Sequence, residues 1–317
     1  MTLDLITYAA AHGRIDWTGA IAALREGHRA GRPKLGDLFL GPPQGTMLTR
    51  AAYLPGVGYG VKAVTVFDQN PAHGLPTVQG AMMFFEPDHG TLCAVIESAL
   101  VTEFKTAGDS VLGAQLLARP DSTSLLIVGA GTLARGLVRA YGAGMPQIDR
   151  IQVWARRPEQ AEALARQMAD EGYGVTTVTD LAAAAGQADI ISTATMARQP
   201  VLQGDWVRPG THVDLIGAYK ADMREADDAL MRKARVFVDS RATTIHHIGE
   251  LTIPIAAGVL TEADVIGDLY DLVPGDCGRA ASDEITVFKN GGGAHLDTMI
   301  AAHIAARIGG ALPGAAD

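Results

Sequence analysis

The feature that most restricts the fold of this chain is a series of short apolar segments that alternate with helical patterns through its middle third. Helical patterns follow the first two segments, over residues 133–141 and 159–171. Strands in this order form a parallel, doubly wound sheet, so residues 121–289 are predicted to be a Rossmann domain of the α/β class. The predicted strands are 125–128, 151–154, 175–178, 190–193, 213–216, 236–238 and 286–289.

A glycine turn links the first of these strands to its helix and is the strongest sign of a ligand. Gly129 permits a tight turn, Gly131 lets the backbone approach a pyrophosphate, and Ala134 permits close packing of the helix on the sheet. Thr132 and Leu133 open the helix, whose free N–H groups attract phosphate. The turn predicts a site for NAD(H) or NADP(H). The alternative is a glycine turn without a ligand.

The other cofactor contacts are expected at the carboxyl ends of the remaining strands. Arg156 follows the second strand, where an Asp or Glu would favour NAD, so a 2′-phosphate and NADP are indicated. In the alternative interpretation, Arg156 stacks on the adenine and leaves NAD open. The further predicted contacts are Thr193, Thr195, Gly217 and Gly291.

Residues 1–120 have a different pattern and are predicted to form an α+β domain that the C-terminal residues 290–317 complete. Helices are predicted over 17–30 and 101–117. Short alternating runs bounded by Pro and Gly turns indicate an antiparallel or mixed sheet between them. The last helix, 296–308, is expected to pack back onto this first block. The alternating runs are residues 59–67, 79–85 and 91–97.

The charge and the cysteines exclude several classes of protein. The 35 acidic and 26 basic residues give a formal net charge of −9, which disfavours a nucleic-acid partner. The two cysteines, Cys93 and Cys277, suit a reducing cytoplasm and argue against a disulfide framework or a zinc site. No apolar run reaches the ~18 residues of a membrane span, and residues 1–4 do not resemble the start of a signal peptide. We therefore expect a cytoplasmic protein without a metal site.

The chain resembles the ornithine cyclodeaminase/mu-crystallin family over nearly its whole length. The most specific parts are the stretches 60–65 (GVKAVT) and 74–77 (GLPT), then Gly80 and the stretch 100–102 (LVT), in the order and spacing of the family. The resemblance implies a homodimer in which the first block and the last helix form the substrate and dimerisation domain. It also implies that Lys62 is the active-site lysine.

The chemistry of Lys62 can also be argued directly. A reductase that adds hydride to a C=N bond needs a proton source or a cation beside the substrate, and a lysine can supply either. The alternative is a solvated lysine on a strand, which the flanking Val61 and Val64 disfavour.

Three departures from the family pattern narrow the implied activity. Lys105 stands where the family usually has an Arg, which keeps the charge but loses a bidentate carboxylate contact. Tyr219 stands where cyclodeaminases and related alanine dehydrogenases carry a catalytic Asp, so the base for deamination is missing. Residues 49–53 contain no acid for the side-chain amine of ornithine and contain Arg50 instead. Ornithine is therefore a poor fit.

The activity that remains is the NAD(P)H-dependent reduction of a 2-imino acid to an L-amino acid. Lys62, Lys105, Arg50 and Arg32 are the cations expected near the substrate, with Thr106 beside them. Several cations favour two carboxylates, so the reduction of iminosuccinate to L-aspartate is the specific prediction. The alternatives are Δ1-pyrroline-2-carboxylate reduction, an ornithine cyclodeaminase or alanine dehydrogenase activity, and a non-enzymatic, crystallin-like NAD(P)-binding protein. Arg32 and Arg50 are alternatively solvated surface residues.

Other polar residues near these motifs are each open to two interpretations. His246–His247 lack a third metal ligand at useful spacing, so a structural or interface role is favoured. His295 is interpreted as a packing residue rather than a proton donor, and Asp297 suits the first turn of the last helix. Asp109 either orients Lys105, one turn earlier on its helix, or is exposed.

Overall fold

The computed structural model describes residues 5–42 and 44–308. The chain forms two compact units, residues 1–105 with 293–317 and residues 106–292. The predicted boundary at 120 lies past the observed one, because the first unit ends within the long helix Ser98–Leu117, which the sequence pattern presents as one element. The predicted ends of the first domain, residues 1–4 and 309–317, are outside the described residues.

The described residues contain fourteen strands, eleven α-helices and four short 3-10 helices. The strands are β1 (Leu5–Ile6), β2 (Lys34–Leu40), β3 (Thr46–Leu54), β4 (Gly58–Val66), β5 (Val78–Phe85), β6 (Leu92–Glu97), β7 (Ser124–Val128), β8 (Arg150–Trp154), β9 (Val175–Thr177), β10 (Ile190–Thr193), β11 (His212–Leu215), β12 (Arg235–Val238), β13 (Val265–Gly267) and β14 (Thr286–Lys289). The α-helices are α1 (Tyr8–Ala11), α2 (Trp17–Arg29), α3 (Ser98–Leu117), α4 (Thr132–Gly144), α5 (Pro158–Asp170), α6 (Leu181–Ala185), α7 (Asp228–Lys233), α8 (Arg241–Thr244), α9 (Gly249–Ala256), α10 (Leu269–Leu272) and α11 (Ala294–Ile308). The 3-10 helices are His12–Arg14, Asn70–His73, Gly204–Trp206 and Glu262–Asp264. Within the described residues, every helix is too short or too polar to cross a membrane.

The first unit contains a six-stranded sheet in the order β1-β6-β5-β4-β3-β2. Its neighbouring strands are antiparallel except β1 and β6, which confirms the expected antiparallel or mixed sheet. The predicted strands β4, β5 and β6 and the predicted helices α2 and α3 are all present. Strands β2 and β3 are missing from the prediction, because neither sequence alternates between apolar and polar residues; all of β2 is exposed.

A row of directly paired residues crosses this sheet. It consists of Asp37, Arg50, Lys62, Met82 and Ile96, on β2 to β6 in that order. Directly opposite residues of antiparallel strands point to the same face. Helix α11 packs on β3, β4 and β5 and also on α2, which confirms that the last helix returns to the first block. The row therefore presents three charged side chains on one face of the sheet.

The second unit contains an eight-stranded, entirely parallel sheet in the order β13-β12-β14-β11-β10-β7-β8-β9, which confirms the Rossmann prediction. Every residue of the central strands β7, β10, β11 and β14 is buried, as the continuous apolar segments predict. Strand β7 lies between β8 and β10, so the strand order reverses there. In open α/β sheets, ligands bind outside the carboxyl ends of the strands at such a switch point.

Candidate functional site

Lys62 of β4 is buried against Asp297 of α11 in the first unit. Its Nζ donates a hydrogen bond to Asp297 Oδ1 at 3.0 Å and another to Thr102 Oγ1 of α3 at 2.9 Å. Lys62 is 8% exposed and Asp297 is not exposed at all, so Lys62 is not a solvated strand lysine. An ammonium has three N–H donors, and these two bonds leave one donor for a further acceptor.

Asp297 also faces a second ammonium. Nζ of Lys105, a buried residue of α3, lies 3.9 Å from the same Oδ1 atom. Burial by itself would raise the pKa of the Asp297 carboxyl, but Lys105, Lys62 and Arg50 together hold that pKa below its usual value. Asp297 is therefore a carboxylate that offsets the charge of two buried lysines. Its second oxygen, Oδ2, is buried and has no hydrogen-bond partner within the described part of the chain.

Arg50 of β3 belongs to the same cluster and carries its own counter-ion. The strand register places it directly opposite Lys62. Its Nε and Nη2 atoms donate to Asp37 Oδ2 of β2 at 3.0 and 2.8 Å. The side chain of Arg50 is 23% exposed and that of Asp37 is 33% exposed, so this ion pair lies nearer to solvent than the pair of Lys62 and Asp297. The structure thus groups three of the four predicted cations and adds two carboxylates to them.

The remaining predicted substrate ligands lie elsewhere on the first unit or at its border. Arg32 is exposed in the segment between α2 and β2. Thr106 is half-buried on α3, and its carbonyl oxygen accepts a hydrogen bond from the side-chain amide of Asn290 at 3.0 Å. Their roles as substrate ligands stay predictions.

Two buried histidines lie beside each other in the first unit. The ring of His295 on α11 meets the ring of His28 on α2 edge to face, with 5.8 Å between centroids. Burial, together with His28 and Lys105, lowers the pKa of His295 well below its usual value. A neutral, fully buried imidazole is a poor proton donor, which favours the packing interpretation of His295.

The glycine turn of the second unit has the geometry of a phosphate site. Gly129 has φ +122°, and a Cβ atom there would lie 2.5 Å from the carbonyl oxygen of Ala194. Gly131 begins α4 without a side-chain cap, and a Cβ added to it would meet only open space. Ala134 is fully buried, whereas Thr132 is exposed and Leu133 half-buried. The first N–H groups of α4 are therefore available to an anion.

A buried carboxylate, Glu225, joins the segments that follow β10 and β11. Its Oε1 accepts from the backbone N–H and the hydroxyl of Thr195, each at 2.7 Å. Its Oε2 accepts from the N–H groups of Gly217 at 2.6 Å and Ala218 at 3.3 Å. The two segments approach so closely that a Cβ on Gly217 would lie 2.1 Å from the Thr195 carbonyl oxygen. Glu225 thus fixes two predicted cofactor contacts, while the buried Thr193 hydroxyl has no partner in the described residues.

Two further carboxylates organise the backbone at this edge of the sheet. Glu250 of α9 accepts the N–H of Glu225 at 2.8 Å, and its pKa is raised to about 7 by burial and by the charge of Glu225. Asp239, after β12, accepts the N–H groups of Gly291 at 2.9 Å and Gly292 at 2.5 Å. Burial raises the pKa of Asp239 as well. The predicted contact at Gly291 is therefore held by the side chain of Asp239.

The other residues singled out from the sequence lie on the surface or in the interior as follows. Arg156 is exposed at the end of β8, and Tyr219 is 51% exposed. His246 and His247 are exposed, and no group of metal-binding side chains occurs in the described residues. Asp109 is fully buried, so its exposed alternative is wrong. The cysteines, Cys93 and Cys277, are both free.

Comparison with known proteins identifies the family. The sequence profile of the ornithine cyclodeaminase/mu-crystallin family matches residues 26–311. The chain belongs to this family. It is 62% identical over 308 residues to the Δ1-pyrroline-2-carboxylate reductase of Paracoccus denitrificans, a match that covers 97% of this chain and 98% of that protein.

Two solved structures of reductases are similar to this member of the ornithine cyclodeaminase/mu-crystallin family. The first is the Δ1-pyrroline-2-carboxylate reductase of Thermococcus litoralis in complex with NADH and L-proline, with a TM-score of 0.88, 29% identity and 96% of each chain covered. The second is the iminosuccinate reductase of Paracoccus denitrificans in complex with NAD+, with a TM-score of 0.85, 25% identity and 95% of each chain covered.

Sequence reasoning missed the carboxylates of this family member. The sequence pattern relates Asp297 only to the helix dipole and gives no signal for Asp37 or Glu225. Asp37 lies thirteen residues before Arg50 and Asp297 lies 235 residues after Lys62, so no local spacing relates them. The only available signal for Asp297 was an acid in the first turn of a helix that was expected to return to the first block.

Replacing Asp297 with Asn should destabilise the protein strongly. The amide keeps the shape of the side chain but leaves two buried ammonium groups without a counter-charge, and breaking a buried pair in this way costs about 3–5 kcal/mol. The free energy of unfolding in urea measures the effect. The double variant Asp297→Asn/Lys105→Met removes one of the two ammonium groups and should recover part of the loss. Equal stability of wild type and Asp297→Asn would contradict the assignment.

Proposed function

We propose that this protein is an NADH-dependent imine reductase and that its substrate is Δ1-pyrroline-2-carboxylate, which it reduces to L-proline. The observation that carries the choice of substrate is the charge balance of the cluster in the first unit. In the ion pairs described above, Lys62, Lys105 and Arg50 carry three positive charges, and Asp297 and Asp37 carry two negative ones. These ion pairs have one net positive charge, which suits a substrate with one carboxylate.

This charge balance favours Δ1-pyrroline-2-carboxylate over iminosuccinate, the substrate predicted from the sequence. The sequence prediction considers the cations alone, whereas the ion pairs of Lys62 and Arg50 leave little positive charge for a second carboxylate. A dicarboxylic imine would bring one more buried negative charge than the site can offset, and unpaired buried charge is costly. The 62% identical relative named as a Δ1-pyrroline-2-carboxylate reductase supports the same choice.

The residues of the glycine turn fit a dinucleotide. The positive φ of Gly129, the open space at Gly131 and the uncapped start of α4 provide the tight turn and the free N–H groups that a pyrophosphate needs. We infer NADH rather than NADPH because two similar structures contain NADH or NAD+. Arg156 then lies beside the adenosine without a 2′-phosphate to bind.

The chemistry follows from the lysines. When bound, NADH supplies the hydride that adds to the C=N carbon of the substrate. Lys62 gives the proton that the imine nitrogen needs, through the N–H that its bonds to Asp297 and Thr102 leave free. Lys105 binds the substrate carboxylate. One hydride and one proton convert the imine to L-proline, and a proton from solvent restores the ammonium of Lys62.

The substrate can be tested by following the loss of NADH absorbance. Δ1-Pyrroline-2-carboxylate should be reduced with a kcat/KM roughly tenfold or more above that for the imine from oxaloacetate and ammonia, because the second carboxylate lacks a cation. The reverse order would favour iminosuccinate. Binding of NADH without reduction of either imine would support the non-enzymatic, crystallin-like alternative.

Lys62 has a matched control in the second unit. Lys62→Met should lower kcat by about 10²- to 10⁴-fold, the usual contribution of a general acid. Lys233→Met removes an exposed lysine that pairs with Asp205 and should leave kcat unchanged. Retained activity of Lys62→Met would overturn the role assigned to this lysine.

Glu225 should control cofactor affinity. Glu225→Gln replaces one acceptor oxygen by an NH2 group that cannot accept from Thr195 or from Gly217 and Ala218. Leaving buried donors unpaired costs about 1–3 kcal/mol, so the Kd for NADH, measured by fluorescence, should rise by roughly five- to 100-fold. Glu162→Gln, an exposed change on α5, is the control. An unchanged Kd in Glu225→Gln would contradict this role.

The first unit also has an apolar face that fits a second copy of the chain. Residues adjacent to the charged row point to the opposite face of the sheet. That face carries Tyr53, Tyr59, Val61, Met83 and Phe85, all partly or largely exposed. We propose that the homodimer that the family resemblance implies forms through this face, since soluble proteins rarely leave such a patch uncovered.

The dimer can be tested by light scattering after gel filtration. Wild type should have about twice the monomer mass of 33.1 kDa. Val61→Asp should shift it to the monomer, whereas Met196→Asp, at a residue that is already 66% exposed, should not. A monomeric wild type would refute the proposal.

A further inference from the structure

We propose that Asp37 determines the specificity of the site: it makes the protein accept 2-imino acids with one carboxylate and reject those with two. The inference rests on the proposed function, because it names the residue that sets the substrate class of that reductase. Asp37 lies on β2, the edge strand of the six-stranded sheet, and it is separate from the residues that give the proton or bind the substrate carboxylate.

The strand register puts Asp37 in line with the cluster. Asp37 is directly opposite Arg50 on β3, and Arg50 is directly opposite Lys62 on β4. The side chains of the three residues therefore share one face of the sheet. Both bonds of Arg50 to Asp37 end on the same oxygen, Oδ2, at 3.0 and 2.8 Å. Asp37 is thus a counter-ion at the outer end of the charged row.

Arg50 affects the buried Asp297 carboxylate, although its own hydrogen bonds are to Asp37 at the edge of the sheet. Its charge helps to lower the pKa of the buried Asp297 carboxyl, after the larger effects of burial, Lys105 and Lys62. Arg50 is therefore close enough to influence a carboxylate bound among these lysines. Any anion that uses Arg50 must share it with Asp37, which already occupies Nε and Nη2.

The charge of Asp37 discriminates between the two substrate classes. The first carboxylate is assigned to Lys105, which faces Asp297 together with Lys62. A second carboxylate that binds Arg50 meets the negative charge of Asp37 there. Two carboxylates that share one guanidinium repel each other. A substrate whose remainder is an apolar ring does not meet this repulsion, so Asp37 selects by exclusion.

The carboxylate of Asp37 is not needed to hold β2 in place. All seven residues of β2 pair with β3 through the backbone register. The pair with Arg50 is partly exposed, and such ion pairs contribute little to stability. A variant at this position is therefore expected to fold, and the repulsion can be removed without disturbing Lys62.

The test compares wild type with Asp37→Asn on two imines. The monocarboxylic imine is Δ1-pyrroline-2-carboxylate, and the dicarboxylic imine forms from oxaloacetate and ammonia; each takes one hydride from NADH and one proton. Asp37→Asn should raise the ratio of kcat/KM for the dicarboxylic imine over that for the monocarboxylic imine by roughly tenfold or more, which corresponds to about 1.4 kcal/mol for the lost repulsion. The double variant Asp37→Asn/Arg50→Gln should lose this gain, because the freed cation is gone.

Asp121→Asn is the matched control. It makes the same substitution beside another arginine, Arg119, and changes the net charge of the protein by the same amount. It should leave the ratio unchanged. An equal gain in Asp121→Asn would show that net charge alone is responsible, and an unchanged ratio in Asp37→Asn would overturn the proposal.

Inhibition provides a second measurement that does not depend on turnover of an unstable imine. Succinate carries two carboxylates and propionate carries one. The Ki of succinate should fall roughly tenfold in Asp37→Asn while that of propionate changes little. An equal change for both anions would refute selection by Asp37. The proposed function is tested separately: it fails if the wild-type protein does not reduce Δ1-pyrroline-2-carboxylate.

Discussion

The ion pair between Lys62 and Asp297 is the interaction on which the first unit depends. It joins the middle of β4 to the first turn of α11 across 235 residues of sequence, and both side chains are buried. A buried ammonium is tolerated only with a counter-charge and satisfied hydrogen bonds, so the return of the last helix is what permits a lysine in this sheet. The same carboxylate serves Lys105, and Arg50 is held in the adjacent row position. One carboxylate therefore offsets the charge of both buried lysines.

Buried carboxylates play a comparable part in the second unit, where they bind backbone rather than lysine side chains. Glu225 fixes the segments after β10 and β11, Glu250 fixes the backbone of Glu225, and Asp239 fixes the glycines after β14. Each segment lies at the carboxyl end of a central strand, where loops must leave the sheet without regular hydrogen bonds. The glycine turn supplies free N–H groups for a ligand, and these acids supply the rigidity around it.

The elements that could be predicted from the sequence are those with local signals. Seven of the eight strands described in the second unit lie within one residue of their predicted ends, because continuous apolar segments and a glycine turn are local patterns; β13 was not predicted. The motif around Lys62 predicts an active-site lysine, and that role stays a prediction. Other features depend on which distant segments meet and could not be predicted. They are the strands β2 and β3, the pairing of Lys62 with Asp297, and the hydrogen bond from Thr195 to Glu225. The prediction of a dicarboxylic substrate considers the cations, which are visible in the sequence, but not their pairing with distant carboxylates, which is not visible there.

The location of Asp37 has a consequence for how such a site changes its specificity. The residues proposed to give the proton and to bind the first carboxylate are buried and contact one another between β4, α3 and α11, so substituting one of them alters the stability of the unit. An edge strand has one paired side, and its exposed side chains can be replaced at little cost in folding free energy. A counter-ion on that strand alters the charge that a substrate meets without altering the groups that react with it. Specificity that depends on charge is therefore most easily changed at the outer end of the row, away from the buried lysines.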